Sequence, residues 1–138
     1  MSRFVLDCSV TMAWCFADET DPRAQSVLTA LAAQGAIVPG HWPLEVANVL
    51  AGAERKKRIA AERVATFIGI LNRLSIVIDD QTAKNAFGDV LMLARTHQLT
   101  AYDAAYLELA LRTGCPLASL DARLNDTAAA IGIAMFEG

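Results

Sequence analysis

The chain is 138 residues long, 54% hydrophobic and 20% charged, with a net charge of −3 at pH 7. That length suits one domain over residues 1–138 with a sizeable core, and the composition excludes a disordered chain. No bulk basic field is available for nucleic acid, so any RNA or DNA contact must rest on a local patch or on metal ions.

The mean hydropathy of +0.34 leads us to expect apolar surface buried against a partner. Cys8, Cys15 and Cys115 are odd in number and lack metal-site spacing, which points to reduced intracellular thiols. Asp7 interrupts the N-terminal apolar run, and no apolar run reaches about 18 residues. A cytoplasmic protein without membrane attachment is the expectation.

In chain order, Phe4-Val5-Leu6 reads as a buried parallel strand, a continuous apolar run that stops at Asp7. Ser9–Phe16 follows as a short helix ended by the polar Ala17-Asp18-Glu19-Thr20-Asp21. Pro22 suits the first turn of a second helix, capped by Thr20 or Asp21, with Val27, Leu28, Leu31 and Ala32 at helical spacing. Gln34-Gly35 closes it, and Ala36–Val38 is a short second strand ending at Pro39-Gly40.

Helix three runs from Trp42 to Lys57, helix four over Ala61–Arg73, and Ser75–Ile78 is a third strand. A fifth helix covers Gln81–His97 and a sixth Tyr102–Arg112, stopped by Thr113-Gly114. Pro116–Ser119 is the fourth strand, Asp121–Ile131 a helix, and Ile133–Phe136 a final short strand. Short strands alternating with helices imply an α/β fold with a parallel sheet.

Several acids fall at equivalent places in this alternation. Asp7 ends strand one, Glu45 lies in the first turn after strand two, Asp103 opens helix six, and Asp121 follows strand four. In open α/β sheets that edge is where ligands bind. Each acid also has an ordinary explanation. Helix N-termini favour acids, Thr100 to Asp103 resembles a capping box, Asp121 could cap its helix, and Asp7 could start a tight turn.

The conjunction is harder to explain that way. Carboxylates about 4 Å apart repel by roughly 4 kcal/mol per pair at an effective dielectric near 20. Mg²⁺ and Mn²⁺ take oxygen ligands, typically one or two carboxylates with waters and substrate phosphates. An acidic crevice thus fits a metal site acting on phosphate. Spacing alone leaves open which acids meet, since Asp79, Asp80 and Asp126 also stand near strand or helix ends.

The stretches Val5-Leu6-Asp7-Cys8-Ser9-Val10, Glu45-Val46-Ala47-Asn48-Val49-Leu50, Tyr102-Asp103-Ala104-Ala105-Tyr106-Leu107 and Pro116-Leu117-Ala118-Ser119-Leu120-Asp121 together resemble the PIN domain, in the VapC-type toxin branch of bacterial toxin–antitoxin systems. They occur in that family's order and approximate spacing, across essentially the whole chain.

The resemblance implies a three-layer α/β/α sandwich with about five parallel strands in the order 3-2-1-4-5. Asp7 and Asp121 then meet at the switch point, and strand three becomes an edge that removes Asp79 and Asp80 from the crevice. It also implies a Mg²⁺- or Mn²⁺-dependent ribonuclease whose catalytic and metal-binding quartet maps onto Asp7, Glu45, Asp103 and Asp121. Ser9, Asn48 and Ser119 fall where the family keeps supporting polar groups. Cys8 and Ser119 stand where Thr is frequent, and Cys8 reads as a small buried filler. An RNA substrate, a cognate VapB-like antitoxin and a homodimer are implied partners.

Glu54-Arg55-Lys56-Lys57-Arg58 carries a run of four cations at the end of helix three. Arg55, Lys56, Lys57 and Arg58 read either as a solvated helix end or as an RNA or partner contact. Trp14 and Phe16, with Val27, Leu28 and Leu31, are mainly core, although similar toxins receive an antitoxin helix there. His41 and His97 stand apart from the motifs and read as structural.

Three other readings compete. A haloacid-dehalogenase-type phosphatase needs a second Asp where Ser9 stands. A receiver domain needs paired N-terminal acids and a Lys after strand four, and has neither. A catalytically silent PIN-like binding module would not need all four acids.

Overall fold

The computed structural model describes residues 3–16, 18 and 20–138. Ala17 and Glu19, from the polar segment after the first helix, lie outside them. β1 (Phe4–Leu6) is buried at every residue, and since successive side chains alternate, both of its faces are covered. It pairs in parallel with β2 (Ala36–Val38) on one side and β4 (Leu117–Ala118) on the other. β3 (Ile76–Ile78) joins β2 in parallel. The order β3-β2-β1-β4 reproduces the first four places of the expected arrangement, and β3 is the half-exposed edge.

The fifth strand is a correction. Within Ile133–Phe136 only one parallel bridge forms, Leu117 to Met135, so the sheet has four strands rather than five. β4 is itself two residues long, which leaves little ladder to extend. The segment is still held in the fifth place. Leu117 N–H donates to the Ala134 carbonyl at 2.9 Å, Phe136 N–H donates to the Leu117 carbonyl at 2.8 Å, and the Phe136 ring stacks on Phe4 at 4.1 Å.

Helix ends follow local chemistry. α1 (Cys8–Cys15) starts directly after Asp7. α2 (Pro22–Gln34) has Pro22 in its first turn, Asp21 as cap through its bond from Arg23 N–H, and Gly35 at φ 77 as its end. α3 (Trp42–Arg55) closes in a Schellman turn. There Arg58 N–H reaches the Ala53 carbonyl at 2.8 Å and Lys57 N–H the Glu54 carbonyl at 3.0 Å, with Lys57 in the left-handed region at φ 58. α4 (Ala61–Leu71) packs Phe67 and Leu71 inward.

The continuous helix expected over 81–97 is interrupted. α5 (Thr82–Asn85) passes into a π-helical turn, Ala86–Val90, and then α6 (Leu91–His97). Gly88, at φ −101 and ψ −106, is the non-helical point; without a Cβ it takes that conformation cheaply. α7 (Ala101–Thr113) ends at Gly114, φ 69, and buries all of Ala104–Ala110 against the sheet and α6. α8 (Ala122–Ala130) follows β4. The core joins β1 to Tyr106, Leu107 and Leu109 of α7 and to Val10, Val27 and Leu31 of α1 and α2.

Candidate active site

β1 and β4 run parallel and end at the same edge of the sheet, so Asp7 and the Ser119–Asp121 turn leave it side by side. Asp7 N–H donates to the Ala118 carbonyl at 3.0 Å. Asp7 is 6% exposed and does not use its side chain to cap α1. Its Oδ2 accepts two hydroxyls instead, Ser9 Oγ and Ser119 Oγ, each at 2.7 Å. Both serines are anchored in turn. Leu120 N–H donates to Ser9 Oγ at 2.9 Å and Asp121 N–H donates to Ser119 Oγ at 3.0 Å. Oδ1 of Asp7 has no protein hydrogen bond among the described residues.

Burial pushes the Asp7 carboxyl from 3.8 up to about 6. The serine hydroxyls oppose that rise, while the charges of Glu45 and Asp103 add to it. Asp103 is also raised, first by burial and then by Asp121 and Glu45, with Arg123 and His41 opposing. Each of the four acids therefore acts electrostatically on at least one other. Asp79, Asp80 and Asp126 are not among the charges that act on Asp7 or Asp103.

The four carboxylates differ in what already holds them. Asp121 caps α8, its Oδ1 accepting from Arg123 N–H at 3.0 Å and Leu124 N–H at 3.2 Å, which leaves Oδ2 without a protein partner. Only half of the expected capping box forms at α7. Thr100 Oγ1 accepts from Asp103 N–H at 3.1 Å, but the Asp103 carboxylate returns no bond. Glu45 Oε1 accepts a short 2.5 Å bond from the Tyr106 hydroxyl. Burial and the neighbouring acids push that phenol well above its usual range, so Tyr106 stays a donor.

His41 corrects the sequence reading. Its Nε2 lies 3.1 Å from Glu45 Oε1, without the alignment of a hydrogen bond, and its ring meets Tyr106 at 5.4 Å and Tyr102 at 5.6 Å. The signal available was its i,i+4 relation to Glu45. Asn48 is exposed and no hydrogen bond links it to the acids. Asn125, which sequence reasoning passed over, donates from Nδ2 to the Ser119 carbonyl at 2.8 Å and steadies the turn carrying Ser119 and Asp121. Cys8 is buried beside Asp7 and Glu45, its thiol pushed up to about 12, so it remains a neutral filler.

Of the basic run, Arg55, Lys56 and Lys57 are exposed. Arg58 is engaged within the protein, 2.8 Å from Asp18 and stacked 3.9 Å over the Phe16 ring. The run ends the helix that Glu45 begins, about 15 Å further along its axis at 1.5 Å per residue.

A separate ion cluster ties together two of the elements that carry the acids. Arg112 binds Asp79 at 2.8 and 3.1 Å and Glu108 at 2.7 and 3.1 Å. Thr82 Oγ1 donates to Asp79 Oδ2 at 2.9 Å and accepts from Gly40 N–H at 2.9 Å. The turn that launches α3, and with it Glu45, is thereby joined to α7, which carries Asp103.

A family model of the PIN domain matches residues 4–130 of this chain. The chain belongs to the PIN-domain family. Among solved structures it resembles "Crystal structure of PAE2754 from Pyrobaculum aerophilum", with a TM-score of 0.68 and 20% identity over 91% of this chain and 79% of that one. At that identity the likeness is one of fold. No curated protein sequence matches the chain. PIN domains are commonly metal-dependent nucleases, and the matched span contains Asp7, Glu45, Asp103 and Asp121.

Among the described residues, no group of three or more His, Cys, Asp or Glu side chains is set to hold a metal ion directly. A hard divalent cation does not need such a cage, because Mg²⁺ commonly keeps several waters and uses one or two carboxylates. The donor set here is all carboxylate oxygen, with free oxygens on Asp7 and Asp121 and an unpartnered carboxylate on Asp103. Those residues fit such an ion. No helix among the described residues is long and apolar enough to cross a membrane.

Proposed function

We propose that this PIN domain is a Mg²⁺- or Mn²⁺-dependent endoribonuclease, cytoplasmic, and the toxin of a toxin–antitoxin pair. Its partners would be RNA, a VapB-like antitoxin and a second copy of itself. The observation that carries the nuclease reading is the placing of other acids beside Asp7 and Asp103, with Glu45 and Asp103 acting on Asp7 and with Asp121 and Glu45 acting on Asp103. That carboxylate is buried, held through one oxygen by two hydroxyls, and left with the other oxygen free. A fold that only needed Asp7 for packing or capping would gain nothing from setting Glu45 and Asp103 close enough to act on it.

Asp7, Glu45, Asp103 and Asp121 would hold the ion, which supplies charge for the phosphodiester and acidifies an attacking water. The chain's own residues do the orienting. Ser9 and Ser119 fix the plane of the Asp7 carboxylate, and Tyr106 fixes Glu45. The Asp121 cap holds one of its oxygens to the backbone and leaves the other without a protein partner. Arg55, Lys56 and Lys57 offer phosphate contacts further along the strand of RNA.

On labelled single-stranded RNA, the wild-type protein should cleave internally with Mg²⁺ or Mn²⁺ and stop when EDTA is added. Asp103→Asn should lose about 100-fold or more of that rate, the scale of removing one electrostatic group from such a site. Full activity in the variant would sink the assignment. No cleavage by wild type with either metal would favour the silent PIN-like binding module.

A further inference from the structure

We propose that Tyr102 is a stacking platform for one unpaired RNA base beside Asp103, an inference that rests on the ribonuclease reading above.

Tyr102 is 63% exposed, although Ala104–Ala110 of the same helix are all buried. Exposed aromatic rings are costly to hydrate, and this one sits in the first turn of α7, next to Asp103. Its hydroxyl makes no hydrogen bond among the described residues, so the phenol oxygen does not account for where the ring is held.

The ring is nonetheless fixed from below. It tilts against His41 at 5.6 Å, His41 meets the edge of Tyr106 at 5.4 Å, and the Tyr106 hydroxyl bonds Glu45. Tyr102 is thus the outer member of a ladder of rings that descends to one of the four acids. A partner group landing on it meets a surface already ordered, which lowers the entropy cost of binding.

The four acids also create a need that such a ring would meet. Four carboxylates repel a phosphodiester, the chain is net negative, and the exposed cations Arg55, Lys56 and Lys57 lie at the far end of α3. Stacking attracts a nucleotide without opposing charge and tolerates any base. An exposed, pre-positioned π-face next to Asp103 of a site read as cutting RNA fits a nucleobase, which is the occupant we assign. Only an unstacked base can present its face to the ring, so the site selects single strands over duplex.

The test measures binding and cleavage separately. In EDTA, where no cleavage occurs, fluorescence anisotropy with a labelled single-stranded RNA should weaken about 10-fold for Tyr102→Ala and recover in Tyr102→Phe and Tyr102→Trp. In Mg²⁺, the same loss should appear in KM with little change in kcat. Duplex RNA should not distinguish the variants. Because Tyr102 is exposed, the melting temperature of Tyr102→Ala should match wild type. If Tyr102→Ala binds single strands as well as wild type, the assignment is overturned, whether or not the protein cleaves. A protein that binds RNA through Tyr102 but never cleaves would keep this site and remove the nuclease reading.

Discussion

Asp7→Asn should make the metal-free protein more stable at pH 8, by about 3 kcal/mol. Burial raises the folded-state value from 3.8 to about 6, close to two units at about 1.4 kcal/mol each. The folded state holds that proton more tightly than the unfolded chain does. The stabilisation is therefore fully present below about pH 4 and is lost as pH rises through about 6. At pH 8 the wild type carries a buried charge among other acids, and Asn keeps an oxygen for both serine hydroxyls without that charge. Urea unfolding of both proteins in EDTA should show nearly equal stabilities below about pH 4, a gap that opens between about pH 4 and 6, and a constant gap above that. A destabilised Asp7→Asn at pH 8 would mean that the carboxylate serves the fold rather than a ligand.

Arg112→Ala carries the opposite expectation, a loss of about 3–5 kcal/mol at pH 7. Arg112 is the cation between Asp79, 9% exposed, and Glu108, 3% exposed. Removing it leaves two buried carboxylates without their cation, with the Thr82 hydroxyl and the Gln81 backbone N–H still donating to Asp79. Arg112 and Thr82 hold the Asp79 carboxyl below its usual range, so that part of the stabilisation exists above about pH 4 and is lost as pH falls through the lowered value. The cost of Arg112→Ala should accordingly shrink in acid. Arg112→Lys should recover only part, since one ammonium cannot meet both carboxylates as the guanidinium fork does. A urea midpoint that does not move in Arg112→Ala would show that the cluster is solvated and carries little.

These two effects are opposite for a physical reason. Asp79 is an acid given a cation by the fold, and its pKa falls. Asp7 is an acid buried without a cation, beside other acids, and its pKa rises. The first pattern is how a protein stabilises a buried charge, whereas the second stores destabilisation that a bound cation would relieve. Apolar spacing alone does not separate them, because both aspartates simply follow short apolar strands; only the resemblance set Asp79 apart.

What was legible follows from the range of the interactions involved. The strand runs at Phe4–Leu6 and Ala36–Val38, the cap at Asp21 and the stops at Gly35 and Gly114 are local chemistry, and they stand where the pattern put them. The sheet order followed from resemblance rather than from periodicity. The break at Ala86–Val90 was hidden because apolar spacing continues through it, with Gly88 as the only local sign. The fifth strand failed because its length depends on β4, a two-residue partner.

At the site, the positions of Asp7, Glu45, Asp103 and Asp121 in the alternation could be read, and so could Ser9 beside Asp7. Their hydrogen bonds could not. Ser119 is 112 positions from Asp7 and Tyr106 is 61 from Glu45, distances over which only the folded chain decides contact. The Glu108–Arg112 pair shows at i,i+4, but its third member, Asp79, lies 33 positions from Arg112.

The central claim is that Asp7 belongs to a divalent-cation site. Titration calorimetry with Mn²⁺ at pH 7.5 tests it most directly. Saturable Mn²⁺ binding to wild type is expected, with affinity reduced at least about 10-fold in Asp7→Asn while the serine and tyrosine supports remain in place. Mn²⁺ binding of equal affinity in Asp7→Asn, or none in the wild type, would contradict it.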